Sequence, residues 1–266
     1  MKDIVHIHIP KTGGTWLKHV LNTYVADRLI FTGHTAVDYR IGTNWMLPAY
    51  QQVNASTCTI KNEIVSTPAD LPGRYEDAVK VSSVRNPFSM LASMYFHNQG
   101  QREVWNWYDP AMADLPEGWD QINIIHGFRS FEAFINMFCE PGFPFHHKWY
   151  RQNLFFQLFN RSGSCGADLI MRSETLTQAT TGWLNLAGYI TEEEMTQISQ
   201  EPMRNVGADF LKSSISGKDY RSCYTDVMRE MIEEKCKQEL ALFGYNFDGP
   251  IDGELFIDPI GLRWQT

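Results

Sequence analysis

The stretch from Ile4 to Tyr24 limits the possible folds more than any other part of this 266-residue chain. Ile4-Val5-His6-Ile7-His8-Ile9 alternates with period two from Val5 onward, the pattern of a strand. Pro10 to Gly14 breaks it, and then Trp16, Leu17, Val20, Leu21 and Tyr24 recur at helical spacing. Strand, glycine loop and helix in that order open an α/β domain. A second such unit begins at Ala78–Val84 and is closed by Arg85-Asn86-Pro87. Asn86 suits an N-cap and Pro87 the first helical position, and the helix continues through Met90, Leu91, Met94 and Tyr95.

The remaining segments extend the same alternation. Leu29-Ile30-Phe31, Thr57-Cys58-Thr59-Ile60 and Ala167–Met171 read as short strands. Phe131, Phe134, Ile135 and Phe138 form one helical stripe, and Leu154, Phe155 and Leu158 another. Thr191 to Glu194 is a capping box, and a long helix is expected from Thr225 through Phe243, stopped by Gly244. Trp105 to Gly118 reads as a long loop of the kind that walls a substrate site. No linker or repeat divides the chain. The expectation is a single α/β domain over residues 1–266, with a central parallel sheet flanked by helices and a helical C-terminal half.

Charge narrows the partners. Lys+Arg number 23 against 31 Asp+Glu, a net charge of −8, which argues against nucleic-acid binding through bulk charge but leaves room for a local basic pocket. No run approaches the ~18 apolar residues of a membrane span. Met1-Lys2-Asp3 leads straight into the first strand without a leader-like segment, so a cytoplasmic protein is expected. The cysteines Cys58, Cys139, Cys165, Cys223 and Cys236 have no zinc or redox spacing, and no metal site is expected.

Pro10-Lys11-Thr12-Gly13-Gly14-Thr15-Trp16 carries the chemistry. Backbone N–H groups at a helix N-terminus form a concave anion site, favoured further by the helix dipole. Lys11 adds a cation, and Thr12 and Thr15 add hydroxyls. The nucleotide-triphosphate loop places its lysine after the glycines; here Lys11 comes before them. The loop resembles instead the 5′-phosphosulfate loop of sulfotransferases that use 3′-phosphoadenosine 5′-phosphosulfate (PAPS). Its two-glycine form is similar to that of the carbohydrate O-sulfotransferases. Val84-Arg85-Asn86-Pro87 followed by Ser93 resembles the family's 3′-phosphate motif, whose serine lies eight residues after the arginine. An arginine fork suits a phosphate independently of that likeness.

The resemblance implies a P-loop-like domain. It also implies a cofactor site of Lys11, Thr12, Gly13, Gly14, Thr15, Trp16, Arg85 and Ser93 that takes PAPS and releases 3′-phosphoadenosine 5′-phosphate (PAP). Lys11 would stabilise the leaving oxygen. His34, in a Gly-His placed between the motifs, would be the base that deprotonates an acceptor hydroxyl, or else a histidine that closes a turn; Glu63 and His97 stand in reserve. His6 and His8, on one strand face, read as structural. Ala208 to Tyr224, including Lys212-Ser213-Ser214, and Phe243 to Phe247 are similar to the family's C-terminal part. The acceptor would be a glycan or small alcohol, a lean supported by Trp105, Trp107, Tyr108 and Trp119. Two other classes stay open: a P-loop-like kinase using ATP, and a non-catalytic nucleotide-binding protein of the same fold.

Overall fold

The computed structural model describes residues 1–9, 11–33, 77–100, 130–140, 154–155, 158–159, 163–201 and 219–264. In chain order its elements are β1 (Ile4–Ile7), α1 (Gly14–Tyr24), β2 (Leu29–Gly33), β3 (Val79–Val84), α2 (Pro87–Gly100), α3 (Phe131–Cys139), β4 (Leu169–Arg172), α4 (Leu176–Leu186), α5 (Glu192–Gln200), α6 (Asp226–Lys235), α7 (Lys237–Phe243), β5 (Tyr245–Asn246), β6 (Gly249–Pro250) and β7 (Phe256–Ile257). They fall into two compact units. One comprises Met1–Arg85, Phe155–Arg204 and Gly253–Thr266; the other comprises Asn86–Leu154 and Asn205–Asp252.

The first unit holds a five-stranded sheet of order β2-β1-β3-β4-β7. The first four strands are parallel, with His6 opposite Val81 and Ser83 opposite Met171. β7 pairs antiparallel with β4 at the edge, so the sheet is parallel-dominated and not wholly parallel. From β1 the chain passes to β2 on one side, and β3 lies on the other. The carboxyl ends of β1 and β3 thus flank the point where strand order reverses, the place where open α/β sheets bind ligands. Helix α1 turns Trp16, Leu17, Val20 and Leu21 into a core shared with Ile4, Val81, Met171, Leu176, Leu184 and Ile198. Burying each such side chain contributes about 1.5–3 kcal/mol, which fixes the helix and therefore the loop in front of it.

The second unit is helical, with an aromatic core. Phe88 meets Tyr224 and Phe247 edge-on at centroid distances of 5.3 and 5.0 Å, and Phe131 meets Tyr224 at 4.9 Å. Asn86 caps α2 as expected: its Oδ1 accepts from the Phe88 N–H at 2.9 Å, and its carbonyl accepts from the Met90 N–H. Its amide nitrogen donates to the Asn246 carbonyl at 2.7 Å, tying the cap to the β5–β6 hairpin.

Other sequence expectations are adjusted locally. The capping box at Thr191 and Glu194 forms, and Gly244 ends α7 in the left-handed region at φ 64°. The helix expected from Thr225 to Phe243 is two helices, because the backbone departs from helical geometry at Cys236 (φ −106°, ψ 19°). Leu154, Phe155 and Leu158 are buried but belong to turns and a short 3-10 piece, since the chain there runs into the isolated Phe159–Cys165 bridge. The strand expected at Thr57–Ile60 and the loop from Trp105 to Gly118 lie outside the described residues.

Candidate anion-binding site

The site is built in the first unit, where the turn after β1 meets the end of β3. Lys11 adopts φ 66° and Gly13 φ 86°, and Lys11 is the one non-glycine residue at positive φ among the described residues. A side chain in the left-handed region costs about 1–2 kcal/mol, so the surroundings must hold this turn in place. Alternation of this kind curls successive N–H groups inward around an anion.

Each glycine is required by a particular neighbour. At Gly13 the positive φ alone disfavours any other residue, and a Cβ would also come within 2.6 Å of Leu176 Cδ2. At Gly14 a Cβ would run into the His8 ring, at 2.6 Å from Nε2. His8 stacks in turn on His6, centroids 5.4 Å apart. His8 is therefore a wall of the loop, with His6 stacked on it.

Two hydrogen bonds join the turn to β3. The Thr12 hydroxyl donates to the Ile9 carbonyl at 2.8 Å. Its single hydrogen is thereby used, so in the 2.9 Å contact with Ser83 it is the Ser83 hydroxyl that donates. Arg85, one residue past β3, donates from Nη1 to the Lys11 carbonyl at 3.2 Å. Burial pushes the Lys11 ammonium down to about 7, and the Arg85 guanidinium adds to that. Two cations brought together under partial burial suit a multiply charged anion, because each destabilises the other until negative charge arrives.

The expected site residues are distributed as follows. Lys11, Gly13, Gly14, Thr15 and Arg85 come together around the turn, with Thr15 exposed on the first turn of α1. That turn leaves the N–H groups of Gly14 and Thr15 without intrahelical partners, available to a ligand. Thr12 is 0 % exposed and its hydroxyl is spent on Ile9 and Ser83, so its side chain braces the loop instead of facing outward. Trp16 is 2 % exposed and packs in the core, because α1 presents its apolar stripe to the sheet. Ser93 is half-buried on α2 in the second unit, and His97 lies on the last turn of that helix. His34, Glu63, Pro10, Trp105, Trp107, Tyr108, Trp119 and Lys212-Ser213-Ser214 lie outside the described residues. Ser83 and His8 are parts of the site that motif reading passed over; the signal for Ser83 was a polar pair, Ser82-Ser83, inside an apolar strand.

The model of the Sulfotransferase family matches residues 1–246, and the chain belongs to that family. Among solved structures, mouse sulfotransferase SULT7A1 complexed with PAP is similar, with 15% sequence identity and a TM-score of 0.46 over 89% of this chain and 85% of that one. No curated protein matches the chain.

Proposed function

We propose that the chain transfers a sulfuryl group from PAPS to an acceptor hydroxyl, with residues 1–266 acting as one sulfotransferase domain. The observation that carries the reading is the closure of the Lys11 turn onto the end of β3 by Arg85, which sets two cations and a curled backbone at the reversal point of the sheet. This donor set fits a molecule with a phosphosulfate at one end and a phosphate at the other. When bound, PAPS supplies an activated sulfuryl group on its 5′-phosphate.

The chain's own residues do the rest. The N–H groups of Gly13, Gly14 and Thr15, with the Thr15 hydroxyl, hold the 5′ end. Lys11 stabilises charge on the oxygen that leaves, the main demand in a transfer whose transition state spreads charge over oxygens. Arg85 and Ser93 take the 3′-phosphate. His34 removes the acceptor proton, with Glu63 and His97 as the alternatives to it. The acceptor is a sugar hydroxyl or a small alcohol.

Calorimetry with PAP, and with ATP plus Mg²⁺, tests the cofactor; transfer of radiolabelled sulfate from PAPS to a panel of sugars and alcohols tests the chemistry. PAP should bind without added metal. Metal-dependent ATP binding with no PAP binding would point to a kinase, and PAP binding with no transfer to any acceptor to a non-catalytic relative. Lys11→Ala should lower both turnover and PAP affinity, because its charge meets the bound anion in ground and transition states alike. His34→Ala should spare PAP affinity and lower turnover by roughly 10²–10⁴-fold, the usual effect of a lost acid–base group.

A further inference from the structure

The Arg85 bond to Lys11 bears on both ends of the cofactor. A trans peptide is planar, so the direction of the Lys11 carbonyl also fixes that of the Thr12 N–H beside it. The Arg85 Nη1–Lys11 O contact of 3.2 Å therefore holds the first peptide of the curled loop, next to the one non-glycine residue at positive φ among those described. The Thr12 hydroxyl holds the following part through Ile9 and Ser83, but it makes no bond to the Lys11 carbonyl. Arginine has five N–H donors in a rigid fork. The fork geometry lets one guanidinium address two acceptors at once.

Resting on the sulfotransferase reading, we infer that Arg85 is a positioning residue for the 5′ loop as well as a ligand for the 3′-phosphate. One guanidinium then couples the two ends of the site: it holds the Lys11 turn in the shape that receives the 5′-phosphosulfate, whether or not a 3′-phosphate is present. The like charge that Arg85 places near Lys11 is a second trace of the same closeness.

The test compares adenosine 5′-phosphosulfate, which lacks the 3′-phosphate, with PAP by calorimetry across pH, for the wild type, Arg85→Ala and Arg85→Lys, each checked for folding by thermal melting. Arg85→Ala should weaken adenosine 5′-phosphosulfate by about tenfold, the effect of one charge-assisted hydrogen bond, and weaken PAP by more. Its pH midpoint for binding should also move upward, because Lys11 has lost a neighbouring cation; a merely structural role would leave that midpoint in place. If Arg85→Ala does not fold, Arg85→Lys decides. Its ammonium keeps the charge but lacks the planar fork that sets Nη1 on the Lys11 carbonyl, so it should show the same loss for adenosine 5′-phosphosulfate with little change in the midpoint. An adenosine 5′-phosphosulfate affinity within twofold of wild type in the variant that folds overturns the inference and leaves Arg85 to the 3′ end alone. So does a wild type that binds PAP but not adenosine 5′-phosphosulfate, because the 5′ loop then has no affinity of its own to be set up. A wild type that binds neither nucleotide overturns the sulfotransferase reading and this inference with it.

Discussion

Ser83, inside β3, donates its hydroxyl hydrogen to Thr12 in the turn after β1, and both side chains are fully buried. The bond fastens a loop to a strand that is not its neighbour in sequence. Thr12→Val keeps the shape but leaves Ser83 without its acceptor and Ile9 without its donor. It should cost about 1–3 kcal/mol in urea unfolding, the usual penalty for stranding a buried polar group. Ser83→Ala leaves the Thr12–Ile9 bond in place and should cost less. The double variant should fall short of the sum of the two.

Gly14 is closed to any side chain by the His8 ring. Gly14→Ala should therefore destabilise the chain and weaken PAP binding, and His8→Ala in the same molecule should return part of both. A Gly13→Ala variant should gain nothing from His8→Ala, because its strain comes from a positive φ and from Leu176. Thermal melts and calorimetry on the four variants check this.

The lowered Lys11 ammonium gives anion binding a pH dependence. Its proton leaves the free protein near pH 7, against 10.5 for an ordinary lysine. A bound phosphate favours the charged form, so binding should take up protons above about pH 7 and weaken as pH rises. For folding the sign is opposite to that of a favourable pair: the cost of the buried cation is fully present below about 7 and is relieved as pH rises toward 10.5. Calorimetry in buffers of different ionisation heat reads the proton uptake, and Lys11→Arg, which stays charged, should abolish it.

Glu239 on α7 is 3 % exposed and accepts a hydrogen bond from the Leu154 N–H at 3.2 Å. Burial raises its carboxyl to about 7 from 4.5. The folded state thus holds a proton that the unfolded chain releases, and the stability this gives is present below pH 4.5 and lost as pH rises through 7. Glu239→Gln should leave stability nearly unchanged at pH 4.5. At pH 8 it should raise stability by up to about 3 kcal/mol, measured by urea unfolding.

The parts legible in the sequence were those written in local chemistry. The glycines before α1, the Asn86-Pro87 start of α2, the Thr191 capping box and the Gly244 stop all act within one turn of where they stand, so their residue types declare them. Ser83 was not legible as a partner of Thr12, because a buried serine gives no sign of which distant oxygen it meets. Thr12 and Trp16 sit in the motif by sequence, yet which way each side chain points is settled by the core beneath α1. β7 has two residues, too few to show a period, and the break at Cys236 carries neither glycine nor proline to mark it.

The distance along the chain between Thr12 and Ser83, 71 positions, has a bearing on biosynthesis. A growing polypeptide has made β1, the lysine turn and α1 long before the strand that fastens them is translated. Until Ser83 and Arg85 emerge, that turn lacks both ties to β3, and little opposes relaxation of Lys11 out of its left-handed conformation. The anion cradle is thus a late product of translation, and a ribosome stalled before Val79 would hold the whole glycine motif with no means of shaping it.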